Sequence, residues 1–501
     1  MTNRRSNFVN MVKHLSDVPS ACYSNEIKIT QSSPFRQAFH IESESGSLGD
    51  PNGFSYFNGN YHLFHQWSPL AFSKNPHYTQ HGWRHLISSD LVHWQNLGAG
   101  MESDSNLDLY GTYSGSALAV NDILFIFYTG NTWKNTESLD NWQRVPYQVG
   151  AYMDKKNHII KNTAPFLTGP LKGYTSHFRD PKVFKKDNHY YAVLGIQRDN
   201  LTGTALLISS PDLHDWNIVG EIKTNYSKFG YMWECPDYFE IGNYGILNFC
   251  PQGLEHYPNI YQAGYLIGNK MNLKTGEFFN TKFYILDEGF DFYAPQTMKA
   301  PDGRRILSAW MGISEIKYPT EKYHYTGCLI FPREVNIKAG KIIQKPIHEI
   351  THLYKTSDYI TKNISNEERI PIPNKNQRDI TFTIGQSNSK ALLLDIFADE
   401  KNKNHLRIII NQKKNYIVIN RAHSSFPFAE EYGEERKNNF NLSKNLQIRI
   451  IQDISSAEIF INNGEHVFSL RYFAQDNQTN CFITSIGGES KVSIENHQLS
   501  L

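Results

Sequence analysis

The sequence predicts an all-β protein, a five-bladed β-propeller followed by a β-sandwich, and three observations predict it. A strand–turn–strand pattern starts five times, near Pro51, Ser114, Pro181, Pro236 and Pro295, at spacings of 63, 67, 55 and 59 residues. A second echo keeps the same register: Ser88-Ser89-Asp90-Leu91-Val92-His93-Trp94 and Ser210-Pro211-Asp212-Leu213-His214-Asp215-Trp216 stand 122 residues apart, two such units. Past residue 376 the repeat gives way to short alternating apolar runs. A unit of about sixty residues holds four strands and their turns, the size of a propeller blade, and radial repetition leaves few exposed sheet edges.

In chain order, residues 1–35 form a polar lead-in in which Val12 and Leu15 suit a short packing helix. The propeller is expected over 36–340. Its first unit opens on Gly49-Asp50-Pro51-Asn52-Gly53 and continues through Asn58-Gly59, a hairpin turn flanked by β-forming residues. Pro51 fixes φ and offers no backbone donor, so it suits the first residue of a strand, with Asp50 projecting from the strand entrance. Standing alone, Asp-Pro-Asn-Gly is an ordinary turn; its repetition gives it weight. Residues 341–376, polar and carrying Pro371 and Pro373, are expected to be a linker. The sandwich, 377–501, is expected from runs such as Ile380–Ile384, Leu392–Ile396, Leu406–Ile410 and Ile448–Ile451, with an Asn463-Gly464 hairpin; about eight strands fit.

Composition narrows the function. A chain of 501 residues, 40% hydrophobic, with a net charge of +1 and no basic arm, has no general attraction to nucleic acid. Five scattered cysteines form no CxxC pair, so neither a zinc knot nor a disulfide framework is indicated. No signal-peptide core follows Met1, and no apolar run is long enough to span a bilayer. These features predict a cytoplasmic protein with no membrane partner. Aromatic residues make up 13% of the chain, which suits both strands and sugar-stacking surfaces.

Innermost strands line a propeller's channel, so equivalent residues of different blades converge at one end. Three units open with acids, at Asp50, Asp180 and Glu234; the other two open with Tyr113-Ser114 and Tyr293-Ala294. Such a pocket suits calcium as well as catalysis. Glycoside hydrolysis needs two flanking carboxyl groups, one protonated and one ionised, and crowded like charges raise one member's pKa.

Those residues resemble glycoside hydrolase family 32, which comprises invertases, fructanases and sucrose-6-phosphate hydrolases. Its three boxes stand here as Leu48-Gly49-Asp50-Pro51-Asn52-Gly53, Phe178-Arg179-Asp180-Pro181 and Glu234-Cys235-Pro236-Asp237, in the family's order. The resemblance implies Asp50 as nucleophile, Glu234 as acid and base, and Asp180 as stabiliser of the oxocarbenium-like transition state. It implies Gln66, Tyr113, Ser114, Arg179, Tyr293 and Trp310 as the fructose pocket, with no cofactor and no metal. Cys235 is expected to be a pocket-wall residue that tunes Glu234. The partner is a small sugar, and the chain is expected to be a monomer or homodimer.

Two departures stand out. Gly49 replaces the usual Asn before the nucleophile, and Trp83-Arg84-His85-Leu86 replaces W-G-H-A. Residues 230–233, 289–293 and 303–307 are most similar to the bacterial cytoplasmic branch, which cleaves sucrose or sucrose 6-phosphate. A 6-phosphate needs Arg or Lys on the glucose side, with Arg84, Arg144 and Lys317 as candidates. Short fructo-oligosaccharide hydrolysis or fructosyl transfer, and non-catalytic sugar binding, are the alternatives.

Overall fold

Five antiparallel sheets stand around one axis in the computed structural model, which describes residues 12–75, 77–78, 80–134, 143–373, 375–439 and 445–501. Their innermost strands are Gly46–Phe57, Thr112–Val120, Tyr174–Lys186, Met232–Ile241 and Tyr293–Lys299. Each pairs with the strand that follows it in sequence, through the turns read from the repeat. The ring closes through two residues. After blade 5's second strand the chain crosses back to pair Tyr325 and Thr326 in parallel with Gly46 and Ser47 of blade 1. It then returns as blade 5's outer strands, Arg333–Lys338 and Lys341–Pro346.

The repeated prolines sit differently from the expectation. Pro51 is inside Gly46–Phe57, not at its start. The ladder register breaks in all five innermost strands, at Leu48/Pro51, Thr112/Gly115, Arg179/Lys182, Glu234/Asp237 and Tyr293/Gln296, one residue earlier in blades 1 and 2 when the strands are aligned on Asp50, Ser114, Asp180, Cys235 and Ala294. A bulge takes residues out of the ladder, so Pro181, Pro236 and Pro295 forfeit no ladder hydrogen bond, whereas Pro51 stands just past its bulge, opposite His65. Asp180, Cys235 and Ala294 hold positive φ of 64°, 48° and 48° at these bulges.

The residue two past each of Asp50, Ser114, Asp180, Cys235 and Ala294 is polar in every blade: Asn52, Ser116, Lys182, Asp237 and Gln296. Each ties its strand to another blade. Asn52 accepts from the Gly115 N–H (2.9 Å), Ser116 from Val183 (2.9 Å) and Asp237 from Thr297 (2.6 Å). Gln296 accepts from Phe54 (2.8 Å), and Lys182 donates to the Thr297 carbonyl. This belt satisfies backbone groups that the bulges free and fixes the strands relative to one another.

At the N-terminus the helix is Ser20–Gln31, behind Pro19, with only a 3-10 turn at Leu15–Asp17; Pro19 stops any helix running from Val12. Residues 341–376 are not a linker. They supply blade 5's last strand and two sandwich strands, Tyr354–Ile364 and Glu367–Arg369. The sandwich is two six-stranded sheets, more than the eight strands expected. Its core is a continuous Ile/Leu/Phe cluster running from Phe290 to Ile494. Among the described residues no helix is long and apolar enough to cross a membrane.

The two domains meet across buried charge. His40 Nδ1 lies 2.8 Å from Asp453 and Nε2 2.9 Å from Glu458, while Arg333 bonds Glu458 (2.9 Å) and Asp287 (3.0 Å). Burial works against a charged His40, but the two carboxylates overcome it and raise its pKa to about 9. A group raised from about 6.5 on folding stabilises fully below 6.5 and loses that contribution as pH rises through 9. We therefore expect stability to fall by a few kcal/mol between pH 7 and 10, and His40→Gln to flatten that slope. Denaturant melts across that range check it; an unchanged slope in the variant refutes it.

Candidate active site

Hydrogen-bond partners sort the residues around the bulges into two tiers. Gly49, Tyr113, Arg179, Glu234 and Tyr293 make the outer one; Asp50, Ser114, Asp180, Cys235 and Ala294 make the inner one. Glu234 is therefore one step out of register with the other two acids, and its partners come from its own tier. Oε1 accepts from Arg179 Nη2 at 2.5 Å and Nε at 3.2 Å, and Oε2 accepts from the Tyr293 hydroxyl at 2.5 Å. Asp50 is held by the inner tier: Oδ2 accepts from Ser114 Oγ (2.6 Å) and lies 3.6 Å from Cys235 Sγ. Asp180 Oδ2 accepts from the Cys235 N–H at 3.0 Å, with Sγ at 3.8 Å.

The nine residues singled out from the sequence fall as follows. Asp50, Gln66, Tyr113, Ser114, Arg179, Asp180, Glu234 and Trp310 line one cavity of about 380 Å³. Tyr293 reaches it through its bond to Glu234. Gln66 donates to Ser114 Oγ at 3.2 Å. Trp310 also packs against the neighbouring blade cores. Cys235 differs from expectation: its thiol sits between Asp50 and Asp180, not against Glu234. Burial, with the carboxylates beside it, pushes that thiol well above its usual pKa, so it is a neutral donor and not a thiolate.

Electrostatically the carboxyls are crowded. Burial raises Asp50 to about 6, against its Ser114 hydrogen bond, and Glu234 adds to the rise. Burial likewise raises Asp180 to about 7; the Arg179 charge opposes this, and Glu234 and Asp50 favour it. Such groups titrate as a coupled set, and the set keeps a proton into the neutral range. Burial also works against Arg179, but Glu234 and Asp180 more than offset it. One acidic and one ionised carboxyl can thus coexist in this pocket near neutral pH.

Gly49 leaves the outer tier open in blade 1. Two polar atoms lining the cavity, Gln66 Oε1 and Trp310 Nε1, are buried without a hydrogen-bond partner. A Cβ at Gly49 would stand 3.3 Å from Gln66 Cβ, tight but not blocked.

Sequence reasoning missed three supporting residues. His177 Nδ1 accepts from Arg179 Nη1 at 2.8 Å, Thr129 Oγ1 accepts from the Asp180 N–H, and Asn52 donates to the Asp50 carbonyl. His177 was detectable, since it precedes Arg179 by two on one strand face. Thr129 belongs to a second strand and no spacing points to it.

Comparison with known proteins matches both domains. Residues 40–346 match the Glycosyl hydrolases family 32 N-terminal domain and 349–500 the Glycosyl hydrolases family 32 C terminal domain. The chain is 36% identical over 447 residues to a sucrose-6-phosphate hydrolase of Pediococcus pentosaceus, covering 88% of this chain and 86% of that protein. It is 37% identical over 463 residues to that of Streptococcus mutans, with 90% and 91% covered. Among solved structures, a sucrose-6-phosphate hydrolase from Lactobacillus gasseri superposes with a TM-score of 0.90 at 34% identity, covering 100% and 99%. A mutant GH32 beta-fructofuranosidase from Bombyx mori in complex with sucrose gives 0.80 at 27%, covering 96% and 97%. Matched along both domains, the chain belongs to glycosyl hydrolase family 32 and is a glycoside hydrolase of the β-fructofuranosidase type.

Proposed function

We propose that this protein hydrolyses the β-fructofuranosidic bond of sucrose and sucrose 6-phosphate with retention of configuration. The observation that carries the reading is the division of partners among three converging carboxyls. Asp50 is flanked by neutral donors, which leaves its charge available for attack on the anomeric carbon. Glu234 sits in a fork of Arg179 and Tyr293 that orients it toward the departing oxygen. Asp180, aimed by a strained backbone, faces the charge that develops on the fructosyl ring.

In this mechanism Asp50 forms a bond to the anomeric carbon while Glu234 delivers its proton to the leaving glucosyl oxygen. Glu234 then takes a proton from water, whose oxygen attacks the same carbon and releases Asp50. The substrates are those named for the relatives above. A glucose- and fructose-release assay on both substrates tests it: release from each is expected, and release from neither overturns it.

Gly49 gives a second test. Gly49→Asn would put an amide beside the unpaired Gln66 Oε1 and restore a donor to the fructose pocket. We expect kcat/KM for sucrose to rise roughly two- to tenfold, the worth of one hydrogen bond. A fall would show that the contact with Gln66 outweighs the bond gained.

A further inference from the structure

We propose that Arg144 recognises the phosphate of a phosphorylated disaccharide, with the His177 imidazole as a second donor; this rests on the hydrolase reading above. The argument begins with which cations are free. Arg179 is committed to Glu234. Arg84 is committed to Glu44 and Asn96 and stacks on Trp67 at 4.6 Å. Lys317 is exposed and outside the cavity wall. Arg144 also lies outside the cavity's lining, but its guanidinium is held against Tyr113, which is part of that lining.

Arg144 stands opposite Trp133 on the third strand of blade 2. Its guanidinium lies 5.6 Å from the centroid of Tyr113, which walls the cavity, and 5.2 Å from that of Trp133. Two rings hold the fork in place while leaving its N–H edge uncommitted. Among the described residues it has no carboxylate or hydrogen-bond partner, and its Nε is buried without an acceptor. Burial pulls its pKa down, and Arg179 adds repulsion, while Tyr113 and the site carboxylates oppose both. An unpaired, half-buried cation is costly until an anion arrives.

The cavity supplies the reason for such a cation. A phosphate group entering a pocket with three carboxyls meets like charge, and Arg179 is already engaged by Glu234. A separate positive group beside the cavity offsets that repulsion, and a planar fork suits phosphate. His177 contributes a defined donor. Arg179 can only donate, so Nδ1 accepts and the ring proton is on Nε2. Burial, and then the charges of Arg179 and Arg144, hold its pKa at about 4, so the ring is neutral at working pH.

The test is Arg144→Met, which keeps a stacking stem and removes the charge, with Arg144→Lys as a second variant that keeps the charge and loses the fork. For each, kcat/KM is measured on sucrose 6-phosphate and on sucrose, and only their ratio is used, so a general loss cancels. The ratio is expected to fall about 10- to 100-fold in Arg144→Met, the range for a lost charged hydrogen bond, and less in Arg144→Lys. The inhibition constant of glucose 6-phosphate should rise in parallel, with glucose itself little affected. An unmoved ratio with both substrates still cleaved overturns the role of Arg144 alone. Cleavage of neither substrate by the unaltered protein overturns the hydrolase reading and this proposal with it.

Discussion

Asp50→Asn is expected to lower turnover on sucrose roughly ten-thousand-fold or more while leaving the protein folded and no less stable. The two halves of this result have one cause. Asn is isosteric and still accepts from Ser114 Oγ, so the inner tier keeps its geometry. It cannot attack carbon as a carboxylate does, so no covalent intermediate forms. The Asp50 pKa, raised to about 6 by burial, means that its charge costs folding free energy at neutral pH; removing the charge returns some of it. The same displacement sets a pH limb. The reaction needs Asp50 ionised, so kcat/KM in the unaltered enzyme should fall as pH drops through about 6. Rate profiles and thermal melts of both proteins check this. Full activity in the variant removes Asp50 from the chemistry, and loss of folding would make it a structural residue instead.

That a charge can be costly and kept explains why the site was legible in the sequence while parts of the scaffold were not. The acids stand beside prolines in a five-fold repeat, and chemistry forces residue types that packing alone would not choose. Register was harder to see. Asp50 and Asp180 stand one residue before their prolines and Glu234 two before Pro236, an offset that takes its meaning only from the partners, Arg179 and Tyr293, that gather around Glu234. The strand Tyr354–Ile364 hid for another reason. It is an edge strand paired only with Ser490–Leu499 and exposed along one face, so its residues are polar and resemble a linker. The ring closure by Tyr325 and Thr326 carries no pattern at all, since two residues have no period.

Arg333→Met should destabilise the protein by about 3–5 kcal/mol, because it strips the cation from a buried cluster and leaves the Asp287 charge uncompensated. Its effect should also reach the chemistry. Asp287 accepts from the Gly289 and Ser469 N–H groups, and Phe290 donates to the Ser469 carbonyl, so the segment before blade 5 lies flat on a sandwich strand. The approach is close: a Cβ on Gly289 would come within 2.1 Å of the Ser469 oxygen. That segment leads directly into Tyr293, whose hydroxyl holds Glu234. Tyr318, another cavity residue, donates to Asp291 on the same segment. Loosening it at Arg333 should lower kcat several-fold in protein that is still folded, with the loss tracking the Tyr293–Glu234 contact. Replacing Arg333 by Met and Asp287 by Asn together should recover part of the stability, since removing both charges costs less than stranding one. Denaturant melts paired with kcat below the transition decide it. A lowered midpoint with kcat intact would mean that the sandwich only supports the propeller, whereas loss of both makes it part of what orients the acid.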